Sequence, residues 1–179
     1  MSFKKVTLKD EKILDRWSIL IDAAQGRGGE VINKTMDYIK QSSPPGVNTE
    51  MVRVFTKGTT KFFSSFSKSA YEMGKDYLMV WREGSKVRMY IGAQDYGKNL
   101  YVSWYLALEP GFLDHLFSMF EKGNKWILEV KDIFTEEELN AYVTNVHHCL
   151  LKALEELMKE LGQDPSKIDR KSKGFLGIS

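Results

Sequence analysis

Three consecutive segments carry the strongest strand signal in the chain, and they constrain its fold more than any other feature. They span residues 77–82, 86–94 and 99–107 and are rich in Val, Ile, Tyr and Trp, the residue types that strands favour. Short glycine-containing loops separate them, at Gly84-Ser85 and at residues 95–98. Because loops of this length join antiparallel neighbours, the segments predict an antiparallel β-meander.

The two loops also predict how the strands are paired. A two-residue type II′ loop beginning at Gly84 places Met79 opposite Tyr90. The four-residue loop that follows the second segment places Ile91 opposite Val102. The two registers agree in parity, so every side chain of the meander is assigned to one face of the sheet.

The two faces differ in character. Side chains alternate between the faces of a sheet. One face, which we call the aliphatic face, consists of Leu78, Val80, Val87, Met89, Ile91, Leu100, Val102, Trp104 and Leu106. The other, which we call the aromatic face, consists of Tyr77, Met79, Trp81, Arg88, Tyr90, Tyr101, Ser103 and Tyr105. Arg88 lies across from Trp81 and is placed to stack on it.

The eight residues of the aromatic face are the candidate binding residues. A solvated face would carry Lys, Glu and Thr, whereas Tyr and Trp suit a surface that is covered and still makes polar contacts. Four covers remain open: the protein's own helices, a symmetric partner chain, a ligand or peptide, and stacked nucleic-acid bases. The thin basic complement disfavours the last of these.

The segments before the meander predict two helices and one more strand. Apolar residues at spacings of 1, 3, 3 and 1 predict a helix over residues 12–24. A glycine-rich stretch at residues 26–29 separates it from a second helix over residues 30–41. Alternation over residues 49–56 predicts a strand. Residues 57–73 combine phenylalanines with serines and threonines and predict no definite element.

After the meander, residues 112–120 predict a short helix and residues 125–130 a further strand. The stretch Thr135-Glu136-Glu137-Glu138 has the pattern of a capping box. An apolar stripe with spacings of 3 and 4 follows it and ends before Gly162. This pattern predicts a long C-terminal helix packed on the aliphatic face.

Together the elements predict a single α+β domain over residues 1–162 and a basic C-terminal tail over residues 163–179. The fold is an antiparallel β-meander of four to five strands flanked by helices. With 26 basic and 24 acidic residues, the near balance of charge disfavours a nucleic-acid partner. The lone cysteine, Cys149, fits a reducing compartment. No apolar run reaches the length of a membrane span, so a cytoplasmic location is expected.

The sequence predicts no catalytic residue, metal site or cofactor. His147, His148 and Cys149 are adjacent, so on a helix their side chains diverge by about 100° and do not share a face. The remaining histidine, His115, falls on a different predicted helix. We expect Cys149 to be a small core residue beside the apolar stripe.

The favoured function is therefore non-enzymatic binding of a ligand or protein through the aromatic face. A protein partner or self-association is favoured over a small ligand. Two alternatives remain. One is a small enzyme with a histidine-centred cleft at His115 or His147, and the other is a homodimeric structural protein.

Overall fold

The computed structural model describes residues 3–8, 13–56, 74–108 and 133–173. These residues form one six-stranded sheet, two α-helices and a short 3-10 helix. The strands are β1 (Lys4–Leu8), β2 (Ile13–Ile21), β3 (Val47–Thr56), β4 (Lys75–Arg82), β5 (Val87–Tyr96) and β6 (Asn99–Leu108). The helices are α1 (Gly28–Ser42), α2 (Ile133–Glu160) and the 3-10 helix Pro165–Lys167.

The α+β class is confirmed, but the sheet is larger than predicted and is mixed rather than a pure antiparallel meander. Its strand order is β1-β3-β4-β5-β6-β2. The β1 strand pairs with β3 in parallel, and every other pairing is antiparallel. A parallel neighbour distant in sequence leaves no hairpin signal, so the meander pattern could not reveal β1.

The helix predicted over residues 12–24 is wrong, because this segment forms the edge strand β2. Trp17 and Ile21 are buried on the aliphatic face, whereas Arg16 and Leu20 are exposed. The spacings that suggested a helix also fit a strand with apolar residues on both faces. Pairing with β6, where Trp17 lies opposite Trp104, supplies the burial that selects the strand.

The first hairpin has the predicted register but a different turn. Met79 lies opposite Tyr90. The Ser85 amide donates to the Arg82 carbonyl at 3.1 Å, and φ at Gly84 is 77°. The glycine therefore occupies the third position of the turn, where a type II turn requires positive φ. The centre of the turn lies one residue earlier than predicted.

The second hairpin has a shorter loop than predicted. Its loop contains residues 97 and 98 alone, with a φ of 63° at Gly97. Ile91 consequently lies opposite Trp104 and not Val102. This register differs from the predicted one by two residues, and a shift of two keeps each side chain on its face. The division into aliphatic and aromatic faces therefore holds.

Both described helices contribute to the core on the aliphatic face. All residues of that face are buried, and they pack with Val31 and Ile39 of α1 and with Leu150 and Leu154 of α2. The expected packing of the long helix on this face is confirmed. In the described parts of the chain, neither helix is long and apolar enough to cross a membrane.

The second helix and the strand β3 lie close to their predicted positions, as α1 and Val47–Thr56. The long helix α2 begins at Ile133, ahead of Thr135, so the predicted capping box does not start it. It ends before Gly162, as predicted. The predictions for residues 57–73, 112–120 and 125–130 lie outside the described residues.

Residues 163–173, which we call the C-terminal segment, are fastened to the edge strand β2. The Trp17 indole donates to the Asp169 carbonyl at 2.6 Å. The Lys173 amide donates to the Arg16 carbonyl at 2.8 Å. These contacts bring the basic end of the segment beside the sheet.

Candidate binding site on the aromatic face

All eight candidate residues lie on the face of the sheet opposite the two described helices. The eight residues differ in how deeply they are buried. Met79, Tyr90 and Ser103 are buried, whereas Tyr101 is 39% exposed. The remaining four are intermediate, namely Tyr77, Trp81, Arg88 and Tyr105. The aromatic face therefore has a buried centre and an open margin on β6, next to β2.

The buried centre is a second apolar cluster separate from the main core. It contains Met79, Tyr90 and Ala107 together with valines of β1 and β3, the two strands at the edge of the sheet away from β2. Those valines are Val6 of β1 and Val52 and Val54 of β3. The parallel strand β1 therefore extends this apolar surface beyond the meander.

Arg88 lies directly opposite Trp81, as predicted. Its guanidinium Nη1 lies 3.7 Å from the Met79 sulfur atom. Among the described residues, the cation–π contacts involve Lys5, Arg53 and Lys152 and do not include Arg88 with Trp81. The structure therefore places Arg88 within the aromatic face without the predicted stacking.

A row of small residues crosses the aromatic face from β5 to β2. Gly92 lies opposite Ser103, and Ser103 lies opposite Ser18 on its other side. We call these three residues the small-residue row. Larger residues occupy the rows on either side, Tyr90, Tyr105 and Arg16 in one and Gln94, Tyr101 and Leu20 in the other. Neighbouring rows on one face are about 7 Å apart, so the small residues leave a trough between two tyrosine-containing walls.

The ring of Tyr77 occupies the Gly92 end of the trough. A Cβ atom at Gly92 would lie 2.5 Å from Cε1 of Tyr77, so only glycine allows the ring this close. The Tyr77 ring also lies 6.4 Å from the ring of Tyr105, centroid to centroid. Burial raises the pKa of Tyr77 to about 12, although its hydrogen bond with Ser103 acts in the opposite direction. The phenol is therefore neutral at physiological pH.

The Ser18 end of the trough opens into a pocket of about 260 Å³, which we call the tyrosine pocket. Its lining consists of Arg16, Trp17, Ser18, Tyr101, Tyr105 and Lys173. Arg16 lies directly opposite Tyr105 in the sheet. Lys173 comes from the C-terminal segment, and its backbone hydrogen bond to Arg16 holds the two cationic residues side by side.

The tyrosine pocket is electropositive. Arg16 and Lys173 are exposed, and neither forms an ion pair with any residue of the described ranges. Its described lining contains no carboxylate. The pocket presents two phenol rings, a serine hydroxyl and two cationic side chains. These groups suit the binding of an aromatic ring or a negatively charged group.

The histidine-centred alternative gains no support at His147, which is fully buried. Its Nδ1 accepts from the Trp104 indole at 2.9 Å, and its Nε2 lies 2.8 Å from the Arg170 carbonyl, to which it donates. The Trp17 ring packs edge-on against the imidazole at 5.2 Å. Burial is the main cause that lowers the pKa of His147. With both nitrogens engaged, His147 fastens α2 to the sheet and to the C-terminal segment.

The remaining groups that could carry chemistry are Cys149, possible metal ligands and His115. Cys149 is buried, as expected, and burial raises the pKa of its thiol. Within the described ranges, no three His, Cys, Asp or Glu side chains are grouped so that they could hold a metal ion. His115 lies outside the described residues.

A second cavity, of about 410 Å³, lies between the end of α1 and the helix α2. It is larger than the tyrosine pocket, but its two charged side chains are paired with each other and its tyrosine hydroxyl is bonded to the backbone. Arg82 forms an ion pair with Glu138 at 2.5 Å, and the Tyr142 hydroxyl donates to the Val80 carbonyl at 2.7 Å. This cavity therefore offers no uncompensated charge, and we prefer the tyrosine pocket as the candidate site.

Of the residues that line the tyrosine pocket, the sequence predicts Tyr101 and Tyr105 as candidate binding residues. It does not predict Arg16, Trp17, Ser18 and Lys173. Ser18 and Arg16 were missed because β2 was interpreted as a helix. The alternation of Trp17 and Ile19 with Arg16 and Ser18 is a usable signal for a strand, although the apolar Leu20 interrupts it. Lys173 had none, since its position depends on tertiary hydrogen bonds.

Comparison of the chain with protein-family models, with curated proteins and with solved structures finds no match. Its function is therefore argued from the site.

Proposed function

We propose that this protein is a non-enzymatic binding module that recognises its ligand or partner through the open part of the aromatic face. The observation that carries the proposal is the tyrosine pocket at the open end of the small-residue row. Tyr101 and Tyr105 flank that opening, and rigid aromatic side chains of this kind supply contact area at low cost in conformational entropy.

The size of the pocket limits what enters it. At about 260 Å³ it lies just below the range of roughly 300–1,000 Å³ that is usual for drug-sized ligands. A single ring fits such a space, whether it belongs to a small molecule or to a side chain of a partner protein. The half-buried residues Trp81 and Arg88 offer further contact area on the same face for a partner protein.

The proposal is tested by NMR on the ¹⁵N-labelled full chain, titrated with a set of single-ring fragments that are neutral, anionic or cationic. We expect amide shifts to centre on residues 16–18 and 101–105. The double variant Tyr101→Ala/Tyr105→Ala should lose this response. Tyr96→Ala is the matched control, because Tyr96 is 75% exposed and lies outside the pocket.

Two results would contradict the proposal. One is a set of shifts that centres on the second cavity, around Ser42 and Asn145. The other is a double variant that retains a folded spectrum and binds the fragments as the unmodified protein does.

A further inference from the structure

We propose that the tyrosine pocket takes an aromatic ring that carries a negatively charged group, with the ring between Tyr101 and Tyr105 and the charge at Arg16 and Lys173. This inference rests on the proposed binding function and names the chemistry of the ligand. A ring bearing a phosphate or a carboxylate has this character.

The need for a negative charge follows from the two cations. Elsewhere in the described structure, several cations sit against carboxylates, as Arg53 does with Asp76 at 2.7 Å and Arg170 with Glu155 at 2.6 Å. Arg16 and Lys173 converge on a pocket with no described carboxylate in its lining. Guanidinium and ammonium groups bind phosphate and carboxylate through charge-assisted hydrogen bonds, which are stronger than neutral ones.

The need for a ring follows from the shape of the trough. The Gly92 end already holds the Tyr77 ring, whose centroid lies 6.4 Å from that of Tyr105 in one wall. The trough is therefore wide enough for a six-membered ring. Ser103, in the middle of the row, is buried and hydrogen-bonded to Tyr77. At the other end Ser18 has a short side chain, and there the space is open as the tyrosine pocket. A second ring entering beside Ser18 would face Tyr101 and Tyr105 in the offset or edge-on geometries that aromatic pairs prefer.

The fold fixes the cationic end of the pocket from three directions. The backbone of Lys173 is hydrogen-bonded to Arg16. The neighbouring Ser172 hydroxyl donates to the buried Asp15 carboxylate at 2.8 Å. Further back, Trp17 and His147 bond the carbonyls of Asp169 and Arg170, respectively. The main chain that carries the Lys173 ammonium is therefore held in place before a ligand arrives, which lowers the cost of binding.

The test distinguishes the contribution of the ring to binding from that of the charge. Three probes, phenyl phosphate, phenol and inorganic phosphate, are titrated into the full chain, and binding is measured by calorimetry and NMR. We expect phenyl phosphate to bind at least about tenfold more tightly than either of the others, because only it uses both parts of the site. Arg16→Gln and Lys173→Gln should each weaken phenyl phosphate by about fivefold or more and leave phenol unchanged. Lys171→Gln is the matched control, since Lys171 is exposed on the same segment and lies outside the pocket.

The outcomes distinguish this inference from the proposed function. Unchanged phenyl phosphate affinity in both charge variants, with binding still lost in Tyr101→Ala/Tyr105→Ala, would overturn the inference and leave the binding module standing. Inorganic phosphate binding as tightly as phenyl phosphate would overturn the requirement for a ring. If none of the three probes binds and the fragment titration also shows no response at residues 16–18 and 101–105, both proposals fail.

A short peptide with one phosphotyrosine serves as a further probe. It distinguishes a charged ring on a partner protein from a charged ring on a small molecule. Affinity at least tenfold above that of phenyl phosphate would assign the charged ring to a partner protein. Equal affinity would assign it to a small molecule. Either result supports the shared chemistry.

Discussion

The two faces of the sheet differ in how completely their side chains are buried. On the aliphatic face, α1 and α2 cover a continuous layer of Val, Ile, Leu, Met and Trp side chains, all of them buried. On the aromatic face, a smaller apolar cluster around Tyr90 gives way to the exposed Tyr101 within the width of two strands. The aliphatic face is a closed core. The aromatic face is an apolar core toward β1 and β3 and, in the proposed function, a recognition surface toward β2.

Under the proposed binding function, this difference assigns stability to one face of the sheet and binding to the open margin of the other. Trp104 and Tyr105 are neighbours in β6, yet period-2 alternation sends one into the core and the other to the tyrosine pocket. Changes on the aliphatic face should therefore alter the free energy of unfolding, whereas changes at the open margin should alter binding. Three predictions test this contrast, in order of decreasing effect.

The largest effect is expected from truncating aromatic residues of β6 on the two faces. Trp104→Ala removes a fully buried ring and its hydrogen bond to His147, and it should lower the free energy of unfolding by about 3–5 kcal/mol. Tyr101→Ala, at the open margin, should cost no more than about 1 kcal/mol. Urea unfolding of the two variants measures both values. Similar losses in the two variants would remove the contrast between the faces.

A smaller effect is expected from filling the closed end of the trough. In Gly92→Ala the new methyl group meets the Tyr77 ring at 2.5 Å, and the overpacking should cost about 1–3 kcal/mol. Thermal unfolding measures it, with Gly29→Ala as the control, since nothing lies within 4 Å of a Cβ at that position. In the Gly92→Ala background, Tyr77→Ala should cost less than it does alone, because the two sites couple. Additive losses would mean that the ring does not lie over Gly92.

The third prediction concerns pH. Burial lowers the pKa of His147 below its ordinary value of 6.5. The hydrogen bond to the Arg170 carbonyl and the Asp15 carboxylate act in the opposite direction, whereas the charges of His148 and Arg170 lower this pKa further. A depressed folded-state pKa gives stability that is present above pH 6.5 and is lost as pH falls toward the folded value. Urea midpoints measured from pH 8 to pH 5 should therefore decline in the unmodified protein.

The variant His147→Gln keeps one acceptor and one donor but does not titrate, so its decline over the same pH range should be shallower. An equally steep loss in His147→Gln would assign the pH dependence to other groups.

Much of the fold could be predicted because an error of two residues in strand register still leaves each side chain on its correct face of the sheet. The second hairpin was predicted with Ile91 opposite Val102, and its true partner is Trp104. The faces were nevertheless assigned correctly, since a shift of two residues preserves parity. The α2 stripe was equally readable, because a long helix repeats its signal over many turns.

What could not be predicted depends on contacts between distant segments. The strand β2 carries apolar residues on both faces, so its pattern also fits a helix, and only pairing with β6 decides between them. The pocket's cations, Arg16 and Lys173, are brought together by a backbone hydrogen bond. No local pattern in the sequence encodes that contact.

The most direct test of the account is the accessibility of individual tyrosines, measured by iodination of the native protein and mass spectrometry of its peptides. We predict rapid reaction at Tyr96 and Tyr101, with Tyr90 and Tyr142 protected. Saturating phenyl phosphate should protect Tyr101 and leave Tyr96 reactive. A Tyr101 as unreactive as Tyr90 in the free protein would contradict the account, because the aromatic face would then have no open margin.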